Sequence, residues 1–459
     1  MKPFWVLGID LTVQNRVGAD EYGFYFSLLS FSLLLNIIQD MGIASYNNRS
    51  IARNHESLAT LLPNILVLKL ILTLLYFTAS LVIAGVIGYG WIHAKLLVVL
   101  LFNQFLSSMN LYLRSNISGL QLFRTDSLLS VTDRFLMITI CSVLLWGNIT
   151  SSAFRIEWFV YAQSAAYFIT TLIILTIVLS NTYLSKLTID FKVIRKLLQQ
   201  SSPYAILGFL MVLYYRTDSV MLERMLPDGR LQAGIYAQGF RILDAASMLG
   251  FMFAGILLPL FAKMIKQKEP VIQLFRFSFF LLIIPALTVA IALNRYSFEV
   301  MDLLYKDHAR EAADIFGILM IGFVFVSCSI ISGTLLTANG NIRKLNIIAL
   351  FGVLMNIMLN IILIPRYQGV GSAIASTATQ FIIATLQMLL IVNIFQSRPS
   401  ARTIKKFIAF AVLLIITGAA VKHQDIEWLY GFFIIALCGT GLAFSMKLLT
   451  IREIKDSLL

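Results

Sequence analysis

Apolar residues run along this chain in long blocks separated by short polar connectors. Stretches of about 20 mostly apolar residues, the length a helix needs to cross hydrocarbon, lie near 24–45, 62–88, 95–119, 130–147, 157–180, 201–222, 233–262, 274–294, 312–338, 345–365, 370–396, 404–421 and 428–448. One more, PFWVLGIDLTV at the start, is too short to cross a bilayer and reads as a helix whose beginning is missing. The preceding MKPFWVLGI has one Lys, a stub of apolar sequence and no small-residue cleavage site, so a signal peptide is not indicated. The pattern therefore predicts an all-α polytopic membrane protein of about 14 spans.

Only 181–200 and 294–314 make connectors of about 20 residues, which leaves no room for a soluble catalytic domain. The first of these, NTYLSKLTIDFKVIRKLLQQ, reads as a basic amphipathic helix on the inner membrane face and as the boundary between two halves. The halves resemble one another: RVGADEYGFYFSLLSF (16–31) and LQAGIYAQGFRIL (231–243) each put small residues, Gly and aromatics ahead of a long apolar helix. Six spans separate the two copies, so both enter the membrane from the same side, related by a pseudo-two-fold axis along the membrane normal. The expected organisation is an N-terminal lobe of six spans (1–180), the connector (181–200), a C-terminal lobe of six spans (201–397) and two extra helices (398–459).

Composition sharpens this picture. Of 459 residues, 59% are hydrophobic and 13% charged, and the mean hydropathy of +0.84 lies far above that of soluble domains. The formal charge of +13 belongs to connectors, which fits a membrane surface and not nucleic acid. With the N-terminus inside, 22 Lys and Arg fall on inside connectors and 10 on outside ones, so both termini are expected to be cytoplasmic. Cys141, Cys328 and Cys438 lie singly in apolar runs, and His55, His93, His308 and His423 lie in or next to loops without partners at ligand spacing. No metal or cofactor is expected. Phosphate-cradling loops, HExxH and nucleophile elbows are absent from the sequence.

Lys69, Arg114, Arg216 and Arg241 fall inside predicted spans. A charge at the centre of a membrane helix costs roughly 2.5–3.5 kcal/mol on insertion scales, so such residues face protein or water. Arg216 and Asp218, in LYYRTDSVML, stand about 200° apart round a helix, and each needs a partner elsewhere. Arg241 and Asp244 are three apart and able to pair. Asp40 and Arg114 add first-half charge, and Asn36, Gln39, Asn103, Gln104, Asn110 and Asn116 extend a polar face. Together these predict a hydrated central cavity of net positive charge. Structural alternatives stand beside that reading: Arg216 snorkelling to an interface, Asp218 capping a neighbouring helix, Arg241 and Asp244 as a plain ion pair. For Arg49 and Arg53, inside-facing positive charge is explanation enough. The small-residue run GSAIASTATQ points to close helix packing.

Four segments resemble a known family: VGADEYGFYFSLLSF, DMGIASYNNRSIAR, AGIYAQGFRI and above all NIMLNIILIPRYQGVGSAIASTATQ (356–380), with Asn356 and Asn360 before Pro365 and the Gly369, Gly371 turn. They are similar to the polysaccharide transporters, the Wzx-type O-antigen flippases of the MOP superfamily, relatives of MATE antiporters and lipid II flippases. The resemblance covers residues 1 to about 400. It implies a non-enzymatic transporter of the bacterial inner membrane that moves a polyprenyl-diphosphate-linked oligosaccharide, a lipopolysaccharide, capsule or exopolysaccharide precursor, between leaflets by alternating access. Its partners would be that lipid, the surrounding membrane lipids and other polysaccharide-assembly proteins. Arg216, Arg241, Arg114, Arg49 and Arg53 are then the candidate substrate contacts, because guanidinium groups bind phosphate oxygens bidentately. Asp218, Asp244 and Asp40 are candidates to orient them or to couple an ion. Two alternatives remain: a MATE-type cation or drug antiporter, whose cavity should be acidic, and a membrane enzyme such as an O-antigen polymerase or ligase, which resembles its kin in a large catalytic loop.

Overall fold

In the computed structural model, residues 4–55, 57–147, 153–181, 191–398, 400–424 and 426–449 are described, the side chains of Ser45, Ser57 and 191–204 excepted. The expected amphipathic connector at 181–200 therefore lies largely outside the described residues. Among those residues all regular structure is helical, and twelve helices are long and apolar enough to span a membrane. The chain is an all-α polytopic membrane protein, divided into two compact units, Met1–Arg224 and Met225–Leu459.

In the first unit a π-helical turn, Trp5–Asp10, runs into α1 (Leu11–Leu34), which is followed by α2 (Ile37–Asp40), α3 (Ile43–Arg53), α4 (Ser57–Ile87), α5 (Trp91–Gly119), α6 (Phe123–Trp146), α7 (Ile156–Ser180) and α8 (Phe191–Met225). Gly18, at φ 82° and ψ 167°, kinks α1. The kink separates the short N-terminal segment from the span after it, and the Tyr22 hydroxyl ties the two by donating to the buried Asp10 carboxylate at 2.9 Å. The expected continuous span at 24–45 is instead broken twice. α1 ends at Leu34, and the left-handed pair Met41 (φ 42°) and Gly42 (φ 79°) separates α2 from α3. Apolar content alone does not report such breaks, because Ile37 and Ile38 before Met41 and Gly42, and Ile43 and Ala44 after them, keep the window apolar on average. α5 lies at the centre of this unit, against α1, α3, α4, α6 and α7. The core there joins Ile43 and Ile51 of α3 to Leu62 and Ile65 of α4, Tyr112 and Leu113 of α5, and Ile174 of α7.

The second unit holds α9 (Gly229–Gln267), α10 (Val271–Arg295), α11 (Ser297–Leu304), α12 (Ala309–Ala338), α13 (Ile342–Phe395), α14 (Ala401–His423) and α15 (Trp428–Ser445). α12 is the central element, packed on α9, α10, α11 and α13. The 54 residues of α13 are two spans joined at Gln368 (φ 50°, ψ −130°), just after Pro365. This is the boundary expected between 345–365 and 370–396. The halves fold back so closely that a Cβ on Gly371 would overlap the Leu363 carbonyl. Buried Ser372, Ala373, Ala375 and Thr379 follow, and Thr377 donates to the Ile318 carbonyl of α12 at 3.2 Å, so this small-residue run serves helix packing. α14 and α15 attach to α10 through Phe410, Leu414, Ile435 and Tyr296.

Gly371→Ala is expected to cost roughly 1–3 kcal/mol, the scale of overpacking, because backbone and not a flexible side chain must give way. Gly255→Ala, with open space around its Cβ, is expected to change little. Thermal unfolding of the two variants in one detergent checks the difference.

Candidate functional site

The double break in the first unit opens a cavity of about 390 Å³. Leu33, Asn36, Ile37 and Asp40, at the end of α1 and on α2, form one wall. The others come from Ser107, Ser108, Asn110 and Arg114 of α5, Leu129 and Asp133 of α6, Tyr167 and Thr170 of α7, and Val212 of α8. Irregular backbone is tolerated at membrane depth where it lines such a cavity, since its freed polar groups meet water or protein and not lipid.

Two ion pairs organise the charge. Lys69, 1% exposed on α4, reaches Asp40 Oδ1 at 3.4 Å, and its Nζ also donates to the carbonyl and hydroxyl of Ser108 at 3.1 and 2.7 Å. Three acceptors thus take up the three donors of a buried ammonium. Asp40 is 23% exposed, accepts from the Ala44 amide at 3.4 Å through the same Oδ1, and keeps its second oxygen for the cavity. Asp126 stands in the first turn of α6, where the helix dipole favours its charge, and Arg114 meets it from more than one turn before the end of α5. Their contact, Nε to Oδ1 at 2.8 Å, is the one hydrogen bond of Arg114 among the described residues. It fixes the guanidinium by its edge and leaves both Nη groups free for an anion. Asp133 pairs with the adjacent Arg134 at 3.8 Å.

The lining charges and their partners balance: Lys69, Arg114 and Arg134 against Asp40, Asp126 and Asp133. Among the described residues the charge at this first-unit cavity is therefore zwitterionic.

Of the candidates, Asp40 and Arg114 come together in this cavity. Arg49 and Arg53 are exposed on α3 and do not line it. On α8, Arg216 is half-buried one turn beyond the cavity-lining Val212, and Asp218 is 1% exposed. Arg241 and Asp244 are half-buried on α9 of the second unit. Asn36 and Asn110 line the cavity, while Asn103 donates to the Val160 carbonyl and Asn116 joins Asn47, so those two serve helix contacts. Lys69, Asp126 and Asp133 were not among the candidates. For Lys69 a signal existed, a single cation in the otherwise hydrocarbon span Leu58–Ile87. Among the described residues no group of three or more His, Cys, Asp or Glu is placed to hold a metal.

Residues 11–265 match the family described as polysaccharide biosynthesis protein. The fold is similar to that of the lipid II flippase MurJ in an inward closed conformation, with a TM-score of 0.73, 14% identity and 96% of each chain covered. It is also similar to an inward-facing multidrug resistance MATE family transporter of the MOP superfamily, with a TM-score of 0.68, 15% identity, and 87% of this chain and 96% of that one covered. At such identities the likeness is one of fold. In sequence, a probable multidrug resistance protein NorM of Bacillus thuringiensis subsp. konkukian (strain 97-27) is 30% identical over 151 residues. That stretch covers 29% of this chain and 32% of the relative, so the match spans about a third of its length.

The buried pair gives a stability prediction. Asp40→Ala leaves the Lys69 ammonium buried without its counterion and is expected to cost about 3–5 kcal/mol. Lys69→Met, which leaves a carboxylate that reaches water, should cost less, and the double variant should recover part of the Asp40→Ala loss. A double-mutant cycle from thermal melts checks this, and strict additivity would dissolve the pair as a unit.

Proposed function

This chain belongs to the family of polysaccharide biosynthesis proteins, and we propose that it is a flippase for a polyprenyl-diphosphate-linked oligosaccharide rather than an enzyme. The observation that carries this reading is the Arg114 guanidinium, held through Nε by Asp126 at the wall of a cavity of mixed polar and apolar lining inside a membrane unit. A diphosphate headgroup is the part of such a lipid that hydrocarbon cannot solvate. Two free Nη groups match two phosphate oxygens, and preorganisation by Asp126 lowers the ordering cost of that contact. Ser107 on the same wall offers a hydroxyl partner for sugar. A cavity of about 390 Å³ falls in the range of small-ligand sites, so the headgroup enters it while the polyprenyl tail stays in lipid.

Asp40 and Asp133 stand on the same walls and repel an anion while they are ionised. Neutralising them by proton or cation uptake would favour loading, and release would restore the repulsion, which couples cargo to an ion. In this reading Arg216 and Arg241 are further candidate anion contacts, with Asp218 and Asp244 candidates to orient them, and alternating access carries the headgroup across. The protein sits in the bacterial cytoplasmic membrane with both termini inside, serving O-antigen, capsule or exopolysaccharide assembly.

A second reading, a MATE-type cation antiporter, is favoured by the two cavity carboxylates and by the partial likeness to NorM. Transport of a fluorescent polyprenyl-diphosphate oligosaccharide in proteoliposomes separates the two. Arg114→Ala is expected to slow it at least tenfold, with Arg114→Lys intermediate because an ammonium lacks the fork. Arg216→Ala and Arg241→Ala should fail to restore surface glycan in a flippase-deficient strain while remaining in the membrane. Full transport by Arg114→Ala, together with organic-cation efflux lost in Asp40→Asn, would transfer the assignment to the antiporter.

A further inference from the structure

A second cavity, of about 590 Å³, lies in the second unit, where α10 and α14 begin and α15 has just ended. Among the described residues its charged lining is basic: Arg276 of α10, Arg402 and Lys406 of α14, and Lys447 beyond α15. Two helix N-termini at Val271 and Ala401 add the positive ends of their dipoles. The cations are positioned by backbone contacts. Arg276 Nη2 donates to the Arg398 carbonyl at 3.3 Å and Lys406 Nζ to the Met446 carbonyl at 2.8 Å, while buried Leu448 and Leu449 pin the chain that carries Lys447.

Beside it lies an apolar slot of about 220 Å³ walled by Phe275 and Phe279 of α10, Ile391 and Val392 of α13, and Ile404 and Phe407 of α14. Arg276, Phe280 and Thr403 line both cavities, so the basic chamber and the slot share a wall. The site sits at span ends. Four cations that no carboxylate balances among the described lining residues, next to an apolar slot, are complementary to an anionic amphiphile and to neither a cation nor a free sugar.

We propose that this double cavity binds one anionic phospholipid, its phosphodiester headgroup against Arg276, Arg402, Lys406 and Lys447 and an acyl chain in the Phe275–Ile404 slot. The site belongs to α10, the end of α13, α14 and the chain just after α15 and is built without any residue of the Arg114 cavity, so the lipid is a bound effector and not the cargo. Its occupancy fastens the starts of α10 and α14 to the end of α15, which makes the attachment of the last two helices depend on membrane composition.

The test uses the full chain, delipidated in neutral detergent and titrated with dioleoylphosphatidylglycerol while its melting temperature is followed. Saturable stabilisation is expected, with none from dioleoylphosphatidylcholine. Each basic residue near a charged lipid surface contributes about 1 kcal/mol, about a fivefold change in affinity. Arg276→Gln with Arg402→Gln should therefore raise the half-saturating concentration roughly 25-fold. Both side chains are exposed, so the lipid-free melting temperature of the double variant should stay close to the parent's. Ile404→Trp, which fills the slot, should weaken the diacyl lipid and leave any response to glycerol 3-phosphate unchanged. Equal stabilisation by phosphatidylcholine, an unshifted titration in the double variant, or full stabilisation by inorganic phosphate or glycerol 3-phosphate alone would overturn the proposal, the last by reducing the site to one for free anions.

Discussion

Polar groups placed among hydrocarbon helices must find partners inside the protein, and the contact among Lys69, Asp40 and Ser108 is where this chain meets that demand most directly. Lys69 is nearly inaccessible, so its ammonium has no water to fall back on, and its three acceptors come from two other helices. Holding them together requires α2 to end beside α4 and α5. That ending is made by the left-handed residues Met41 and Gly42, which stop α2 and turn the chain into α3. The break, the ion pair and the first-unit cavity are thus one arrangement: a continuous helix through 24–45 would carry Asp40 past Lys69 and close the space that Asn36 and Asp40 line.

The same rule distinguishes the two basic features of the molecule. Arg114 lies within the spans and is matched by Asp126, so its charge is available only in part and in a set direction. Arg276, Arg402 and Lys447 lie at span ends, where headgroups and water solvate such groups, and no carboxylate accompanies them among the described lining residues. Depth in the membrane therefore dictates whether a cation arrives with its counterion built in or awaits one from outside.

Close helix approach is the other recurring device. At Gly371 the two halves of α13 touch through backbone, and at Gly431 the added Cβ would overlap the Tyr296 ring that anchors α15 to α10. In lipid, where burial of apolar surface gives helices little reason to associate, such contacts and the hydrogen bonds beside them hold the units together.

The all-helical membrane character and most of the spans were legible in the residues themselves, the broken stretch 24–45 excepted, because transfer of about 20 side chains into hydrocarbon is a sum over a local window that neighbours hardly alter. The turn at 365–371 was legible for a similar reason, since Pro365 and two glycines restrict the backbone wherever the chain goes. Arg114 and Asp40 could be singled out by the cost of their charge, and Lys69 carried the same mark. Which cation met which carboxylate was not legible: Arg114 with Asp126 and Lys69 with Asp40 depend on how α2, α4, α5 and α6 are rotated and displaced against each other. The zwitterionic character of the cavity follows from those pairings and from nothing local. Composition constrains which groups need partners, whereas the identity of each partner is a property of helix packing, and the site emerges only at that level.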